Sequence, residues 1–174
     1  MTEITPRIYV ACLAAYNNGI LHGEWIDADQ GVEHISEQAA AMLKASPIED
    51  AEEWAIHDYE GFEGFDLSEW EGFAQVAEKA EFIAEHGRIG TLIADHYGND
   101  LNAAREAMED RYFGEWDNMT EFAEHLTEET GELAQIPDHL AYYIDFEAMG
   151  RDMVYGGGWI CLEDGHKTHV FAEG

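Results

Sequence analysis

The chain has 174 residues and a formal net charge of −30, with 38 Asp and Glu against 8 Lys and Arg. An excess of this size usually belongs to a disordered tail, because like charges repel and such tails contain few apolar groups. Here hydrophobic residues make up 46% and aromatic residues 12% of the chain, which is enough to build packed cores. The composition therefore excludes a disordered acidic tail and predicts a folded, strongly anionic protein.

The same composition limits where the protein acts and what it binds. No apolar run approaches the roughly 20 residues that cross a bilayer, and no signal-peptide pattern is visible, so we expect a soluble cytoplasmic protein. Cys12 and Cys161 lie in apolar segments without CxxC spacing, which indicates buried free thiols. A surface this anionic repels membranes and nucleic-acid backbones, so we expect neither as a direct ligand. The partner should be cationic, and large cationic grooves occur mostly in proteins that bind DNA or RNA.

The first 60 residues predict a small α/β domain. Strand formers occupy residues 7–13 and 20–26, on either side of an Asn17-Asn18-Gly19 turn, and this pattern predicts a hairpin. Apolar residues then recur at helical spacing over 32–43, before Pro47 ends the helix, and residues 52–59 predict a third strand.

Residues 61–110 predict a central helical domain. Gly61 and Gly64 mark the boundary, and Ser68 with Glu71 has the Ser-x-x-Glu pattern that opens a helix. That helix should end at Gly87, and shorter helices are expected over residues 89–97 and 101–111.

Residues 111–174 predict a C-terminal α+β domain. A strand is expected over residues 112–116, and Asn118 followed by Glu121 indicates a helix start. Pro137 should open a second helix that continues to Gly156. Residues 159–162 and 168–172 predict a terminal hairpin. The fold class is therefore α+β, in three small domains.

The acidic residues are predicted to form rows on helices in which every charge is negative. Residues three or four apart lie about 5–6 Å from each other on a helix, and an ordinary solvated face would alternate Glu with Lys. The predicted rows are Glu71, Glu78, Glu81 and Glu85 on the helix from Ser68, Glu121, Glu124, Glu128 and Glu132 on the helix from Asn118, and Asp138, Asp145 and Asp152 after Pro137. Thirty excess charges correspond to roughly 50 Å of duplex DNA, whereas a compact globule of this length spans only about 40 Å. This comparison favours an elongated chain of small domains.

Two stretches carry a resemblance to a known family. Residues 6–27 read PRIYVACLAAYNNGILHGEWID, and residues 136–152 read IPDHLAYYIDFEAMGRD. Both resemble the corresponding segments of ArdA antirestriction proteins, and the similarity extends over essentially the whole chain.

This resemblance implies a curved, DNA-like molecule of three small domains that dimerises through the last one. It also implies a non-enzymatic mimic of bent B-form DNA, carried on mobile genetic elements. Such a mimic blocks type I restriction-modification enzymes by competing for the DNA-binding surface of their methyltransferase core. The acids in the rows would then replace DNA phosphates, and no residue would be catalytic.

Other chemistry finds little support in the sequence. The chain has no HExxH motif, and His166 and His169 would point to opposite faces of a strand, so no metal site is predicted. The run from Asp27 to Gly31 does not have EF-hand spacing, although weak, dispersed divalent-cation binding stays open. No P-loop, Rossmann or GxSxG fingerprint is present, so no cofactor is expected.

Three alternatives stay open. An acidic hydrolase could use a carboxylate pair, but with 38 acids some pair suits any geometry. Adaptation to high salt would also produce an acidic surface. Finally, the apolar stripe of Tyr142, Phe146, Met149 and Met153 is explained either by core packing or by a dimer contact, for which Tyr142, Phe146 and Met149 are the candidates.

Overall fold

In the computed structural model, which describes residues 5–174, the chain divides between Thr91 and Leu92 into two units. Each unit contains helices and a three-stranded antiparallel sheet, which confirms the α+β class. The predicted three domains, with boundaries near residues 60 and 110, stay a prediction.

The first unit is built on a sheet with the strand order β2-β1-β3. Its elements are β1 (Arg7–Cys12), α1 (Leu13–Asn17), β2 (Gly23–Asp27), α2 (Val32–Lys44), β3 (Trp54–Glu60) and α3 (Phe73–His96), which begins in this unit. The core is formed by fully buried side chains such as Ile8, Val10, Ile26 and Ile35. The predicted pairing of β1 with β2 is confirmed, with Tyr9 opposite Trp25.

The connection between β1 and β2 differs from the predicted tight turn. Residues 13–17 form a helical turn, which Cys12 caps by accepting a hydrogen bond from the Ala15 amide (3.5 Å). The Asn18 side chain then donates to the Ala14 carbonyl at 2.8 Å, and Gly19 turns the chain with φ 74°. β2 therefore begins at Gly23, three residues later than expected.

The helix predicted from Ser68 starts later, at Phe73, and its break at Gly87 is confirmed. Residues 68–71 form a turn instead, because the Glu71 carboxylate accepts from the Ser68 amide at 3.0 Å and holds the chain before the helix. Gly87 adopts φ 59° and ψ −153°, a conformation that is essentially restricted to glycine. The two predicted helices are therefore separated at Gly87, and α3 denotes both segments together.

The second unit has a sheet with the strand order β4-β6-β5. Besides the end of α3, its elements are α4 (Leu101–Asp110), β4 (Tyr112–Trp116), α5 (Met119–Glu129), a 3-10 turn (Leu133–Gln135), α6 (Asp138–Ala141), α7 (Phe146–Tyr155), β5 (Trp159–Asp164) and β6 (Lys167–Ala172). Phe122, Val170 and Phe171 are fully buried in its core. The predicted terminal hairpin is confirmed as β5 and β6.

The single helix predicted after Pro137 is wrong, because the chain forms two helices there. α6 ends at Ala141, and Asp145 opens α7 by accepting a hydrogen bond from the Ala148 amide at 2.9 Å. A capping aspartate inside a continuous apolar pattern therefore divides the helix. Glu132 likewise lies outside α5, which ends at Glu129.

Candidate partner-binding surface

Carboxylates cover the surface of both units. Of the described Asp and Glu residues, all are exposed except Glu71 and Asp164, which are half-buried. A carboxylate stays in water unless it is paired, so this exposure is expected of the residue type. What is unusual is how few cations stand between the acids.

Five of the eight Lys and Arg residues form ion pairs with acids close to them. Arg7 pairs with Glu60 at 2.5 Å, and Lys79 pairs with Glu71 at 2.5 Å. Lys167 donates to Asp117 at 2.6 Å, and this hydrogen bond, together with the charges of Asp117 and Glu115, raises the pKa of Lys167. Two weaker pairs join Arg111 to Glu106 (3.7 Å) and Arg151 to Asp152 (3.6 Å). Because each of these five cations neutralises a neighbouring acid, little of their positive charge is left to offset the remaining carboxylates.

Of the four acids in the row predicted on the helix from Ser68, three lie on α3. Glu78, Glu81 and Glu85 lie exposed on α3, on the side away from buried Val76, Ala80 and Ile83. Their spacing of three and four residues places neighbouring carboxylates on one face. Glu71 is different, because it precedes the helix and its side chain is only 14% exposed against Lys79.

The second row lies on α5. Glu121, Glu124 and Glu128 are exposed, whereas Phe122, Ala123 and Thr127 on the same helix are buried. Asn118 and Glu121 form the predicted capping arrangement: the Asn118 side chain accepts from the Glu121 amide (3.0 Å), and the Glu121 carboxylate accepts from the Asp117 amide (2.9 Å). Glu132 is exposed beyond the helix end. Glu121 therefore has a structural role in addition to its charge.

The third predicted row is not a row on one helix. Asp138 begins α6, Asp145 caps α7 and Asp152 lies within α7, so the seven-residue spacing does not correspond to a common face. All three remain exposed. The Asp145 carboxylate accepts a hydrogen bond from the Ala148 amide, and Asp152 forms an ion pair with Arg151. Asp138 forms neither of these two interactions.

Two further groups of acids on helices were missed at the sequence level. α2 carries exposed Glu33 and Glu37, and α4 carries exposed Glu106, Glu109 and Asp110. The same signal, acids three or four residues apart with no Lys between them, was present in both segments.

The candidate dimer residues differ in their exposure. Tyr142 is 86% exposed. Phe146 and Met149 are half-buried, and Met149 accepts a hydrogen bond from the buried Thr127 hydroxyl through its sulfur at 3.5 Å. Leu140 and Tyr143, close to Tyr142 in the sequence, are also exposed. So are Val154 and Tyr155 at the end of α7. Core packing therefore explains Phe146 and Met149. It does not explain the exposed rings of Tyr142, Tyr143 and Tyr155.

One buried polar pair stands apart from the acidic surface. The Tyr112 hydroxyl lies 2.7 Å from Nδ1 of His169, whose residue is only 3% exposed. Burial lowers the pKa of His169, although Glu115 and Asp164 oppose the shift. Burial, with help from Glu115, raises the pKa of Tyr112. The lowered pKa favours the neutral form of His169, and its Nδ1 and the Tyr112 hydroxyl share a hydrogen bond.

The remaining candidate groups have structural surroundings. Both cysteines are free, with Cys12 buried and Cys161 half-buried, and burial raises the pKa of the Cys161 thiol. Within residues 5–174, no group of three or more His, Cys, Asp or Glu side chains is arranged to hold a metal ion. In the same part of the chain, no helix has the length and apolar character needed to cross a bilayer.

Comparison with known proteins identifies a family. A family model described as "Antirestriction protein (ArdA)" matches residues 8–168, which is nearly the full chain. No curated protein matches the chain.

Proposed function

The chain belongs to the ArdA family of antirestriction proteins, and we propose that it acts as a DNA mimic. Its exposed carboxylates take the place of DNA phosphates in the DNA-binding groove of a type I restriction-modification enzyme. The target within that enzyme is the methyltransferase core. The protein is an inhibitor and not an enzyme, and it acts in the cytoplasm, where restriction takes place.

The observation that carries this proposal is the arrangement of exposed acids on rigid helices. Glu78, Glu81 and Glu85 on α3, and Glu124 and Glu128 on α5, present negative charge at fixed spacings. A cationic DNA groove gains its affinity mainly from such charges and from the counterions that they release. Since the chain has only eight Lys and Arg residues and five of them pair with nearby acids, little positive charge is available to offset these faces.

Many small contributions are expected from such a surface. An exposed ion pair is worth only about 0–1 kcal/mol, so no single carboxylate should be indispensable. An acidic hydrolase with a carboxylate pair makes the opposite prediction, since one or two substitutions would abolish its activity. The family match does not favour that alternative.

A competition experiment tests the mimicry. Labelled duplex DNA is bound to purified methyltransferase core, and the protein is added over a series of salt concentrations. We expect the protein to displace DNA, and its apparent affinity to fall as salt rises. Affinity for the core that DNA leaves unchanged would contradict the proposal.

A set of matched variants tests the helical rows. Glu81, Glu85, Glu124 and Glu128 are replaced by Gln in one variant, and Glu49, Asp50, Glu52 and Glu53, which precede β3, are neutralised in the control. Both variants lose four charges. We expect the row variant to compete much less well, whereas equal effects would mean that net charge alone determines binding.

We further propose that the protein is a curved homodimer joined through its C-terminal part. The exposed Leu140, Tyr142, Tyr143 and Tyr155 support this, because such residues are enriched at oligomer interfaces. Light scattering after size exclusion should give twice the 19.6 kDa of one chain. Tyr142→Ala should shift the mass toward the monomer, and small-angle scattering tests the elongated shape.

A further inference from the structure

An open groove on the surface of the first unit is not explained by the acidic rows. It has a volume of about 500 Å³ and is lined by Tyr16, Ile56, His57, Tyr59, Leu67 and Glu69. Four of these six side chains are aromatic or acidic, and they come from α1, from β3 and from the segment that follows β3.

A β-bulge directs His57 into this groove. Tyr9 of β1 pairs with Asp58 and the next residue, Val10, pairs with Ile56, so His57 is the extra residue of β3. Bulges of this kind redirect a side chain and recur next to functional sites. The exposed ring of Tyr16 packs with its edge against the His57 ring, at 4.8 Å between centroids.

The acidic side of the groove is also held in place. The Ile56 amide donates to the Glu69 carbonyl at 2.9 Å, which fixes this segment along β3. The Glu69 carboxylate lies 3.7 Å from Nε2 of His57 and remains 52% exposed. The Tyr59 hydroxyl donates to the Asp66 carboxylate at 3.2 Å, so a second acid contacts a side chain that lines the groove.

Aromatic rings beside two carboxylates match one chemical group well. A guanidinium is planar, always charged and weakly hydrated, and it stacks on aromatic rings while it donates paired hydrogen bonds to a carboxylate. A lysine ammonium is more strongly hydrated and lacks the flat face. The net charge of −30 disfavours an anionic ligand here.

We propose that this groove is a receptor for an arginine side chain. Where the side chain comes from rests on the proposed function: the cationic DNA groove of the partner supplies the arginine. The groove thus adds a specific contact to a surface that otherwise acts through distributed charge. Its contribution depends on ring contact as well as on Coulomb attraction.

The first test uses the free protein and so does not depend on the partner. N-acetyl-arginine amide is titrated into the full chain at 0.15 M salt, and N-acetyl-lysine amide serves as the comparison. We expect NMR shift changes confined to the groove and larger for arginine, kept in Tyr16→Phe and lost in Tyr16→Ala and Glu69→Gln. Equal shifts for both amides, or shifts spread over all acidic helices, would overturn the proposal.

The second test measures competition with DNA for the methyltransferase core. Tyr16→Ala should weaken competition about tenfold, whereas Leu21→Ala, which removes another exposed apolar side chain of this unit, should have no effect. Glu69→Gln should weaken competition more than Glu52→Gln, although both remove one charge.

The outcomes of the two tests separate the two proposals. If the unmodified protein fails to compete with DNA, the mimicry is wrong, while the amide titration still decides whether the groove binds arginine. If the protein competes but Tyr16→Ala behaves like Leu21→Ala, the arginine contact with the partner is wrong and the mimicry stands.

Discussion

Glu71 and Glu81 show that carboxylates of one type can have different roles. Glu71 accepts from the Ser68 amide and pairs with Lys79, whose side chain is only 19% exposed. The Glu81 side chain is exposed and forms no ion pair or hydrogen bond within residues 5–174. The first carboxylate should therefore stabilise the fold, and the second should act on a partner.

Substitution by Gln separates these roles. Glu71→Gln should lower the free energy of unfolding by about 1–3 kcal/mol, because it removes a charged hydrogen-bond acceptor. Glu81→Gln should change stability by less than about 0.5 kcal/mol while it weakens competition with DNA. Urea denaturation and the competition assay measure the two effects. Equal stability losses in the two variants would contradict this assignment.

The buried Tyr112–His169 pair makes stability depend on pH. Burial lowers the pKa of folded His169 below its ordinary value, so the unfolded chain binds a proton more readily. Stability should therefore be retained above about pH 6.5, the ordinary histidine value, and should fall as the pH drops below it.

A matched variant isolates this histidine from the many acids. Between pH 7.5 and 5.5, the melting temperature of the unmodified protein should fall relative to that of His169→Gln. Carboxylates titrate in both proteins, so the difference between the two melting curves reports His169. Parallel pH profiles would show that the histidine does not contribute.

At the scale of elements, α5 and α7 touch through a glycine. A Cβ placed on Gly150 of α7 would lie 2.5 Å from the carbonyl oxygen of Met119 and 3.0 Å from the Thr120 amide. Helix propensity alone favours alanine over glycine by roughly 0.5–1 kcal/mol, but the contact is with backbone, which cannot move aside cheaply. The steric effect should decide the sign.

We expect Gly150→Ala to destabilise the protein by about 1–3 kcal/mol through this overpacking. Glu147→Ala, an exposed substitution on the same helix, should be close to neutral. Chemical denaturation of both variants measures the difference. A more stable Gly150→Ala protein would mean that α5 and α7 are packed less closely.

The sequence predicts elements well where local signals act alone. Asn118 and Glu121 identify the start of α5, and Gly87 identifies the break in α3, because capping and positive φ depend on neighbouring residues. It fails at Asp145, where a cap interrupts an apolar pattern that otherwise continues. The strand order β4-β6-β5 and the bulge at His57 depend on pairing between distant segments, so no local pattern predicts them.

The same limit applies to the candidate surface. The exposure of Glu78, Glu81 and Glu85 followed from helical periodicity. Helical periodicity predicted neither the pairing of Glu71 with Lys79 nor the groove proposed to receive arginine. Both depend on how loops fold back on the sheet and the helix.

At the scale of the whole molecule, the net charge of −30 opposes folding and favours binding. Repulsion between exposed carboxylates is stronger in the compact state than in the expanded chain. Salt screens this repulsion, with a Debye length that falls from about 30 Å at 0.01 M to about 8 Å at 0.15 M. Salt should also weaken attraction to a cationic groove, because counterion release then gains less free energy.

Folding and binding should therefore respond to salt in opposite directions. Between 0.01 and 0.15 M NaCl the melting temperature of the free protein should rise, while its directly measured affinity for the methyltransferase core should fall. The apolar cores of both units should keep the chain folded at the lowest salt. A protein that folds only in molar salt would instead indicate salt adaptation, because its acids would then serve hydration of the fold and not recognition.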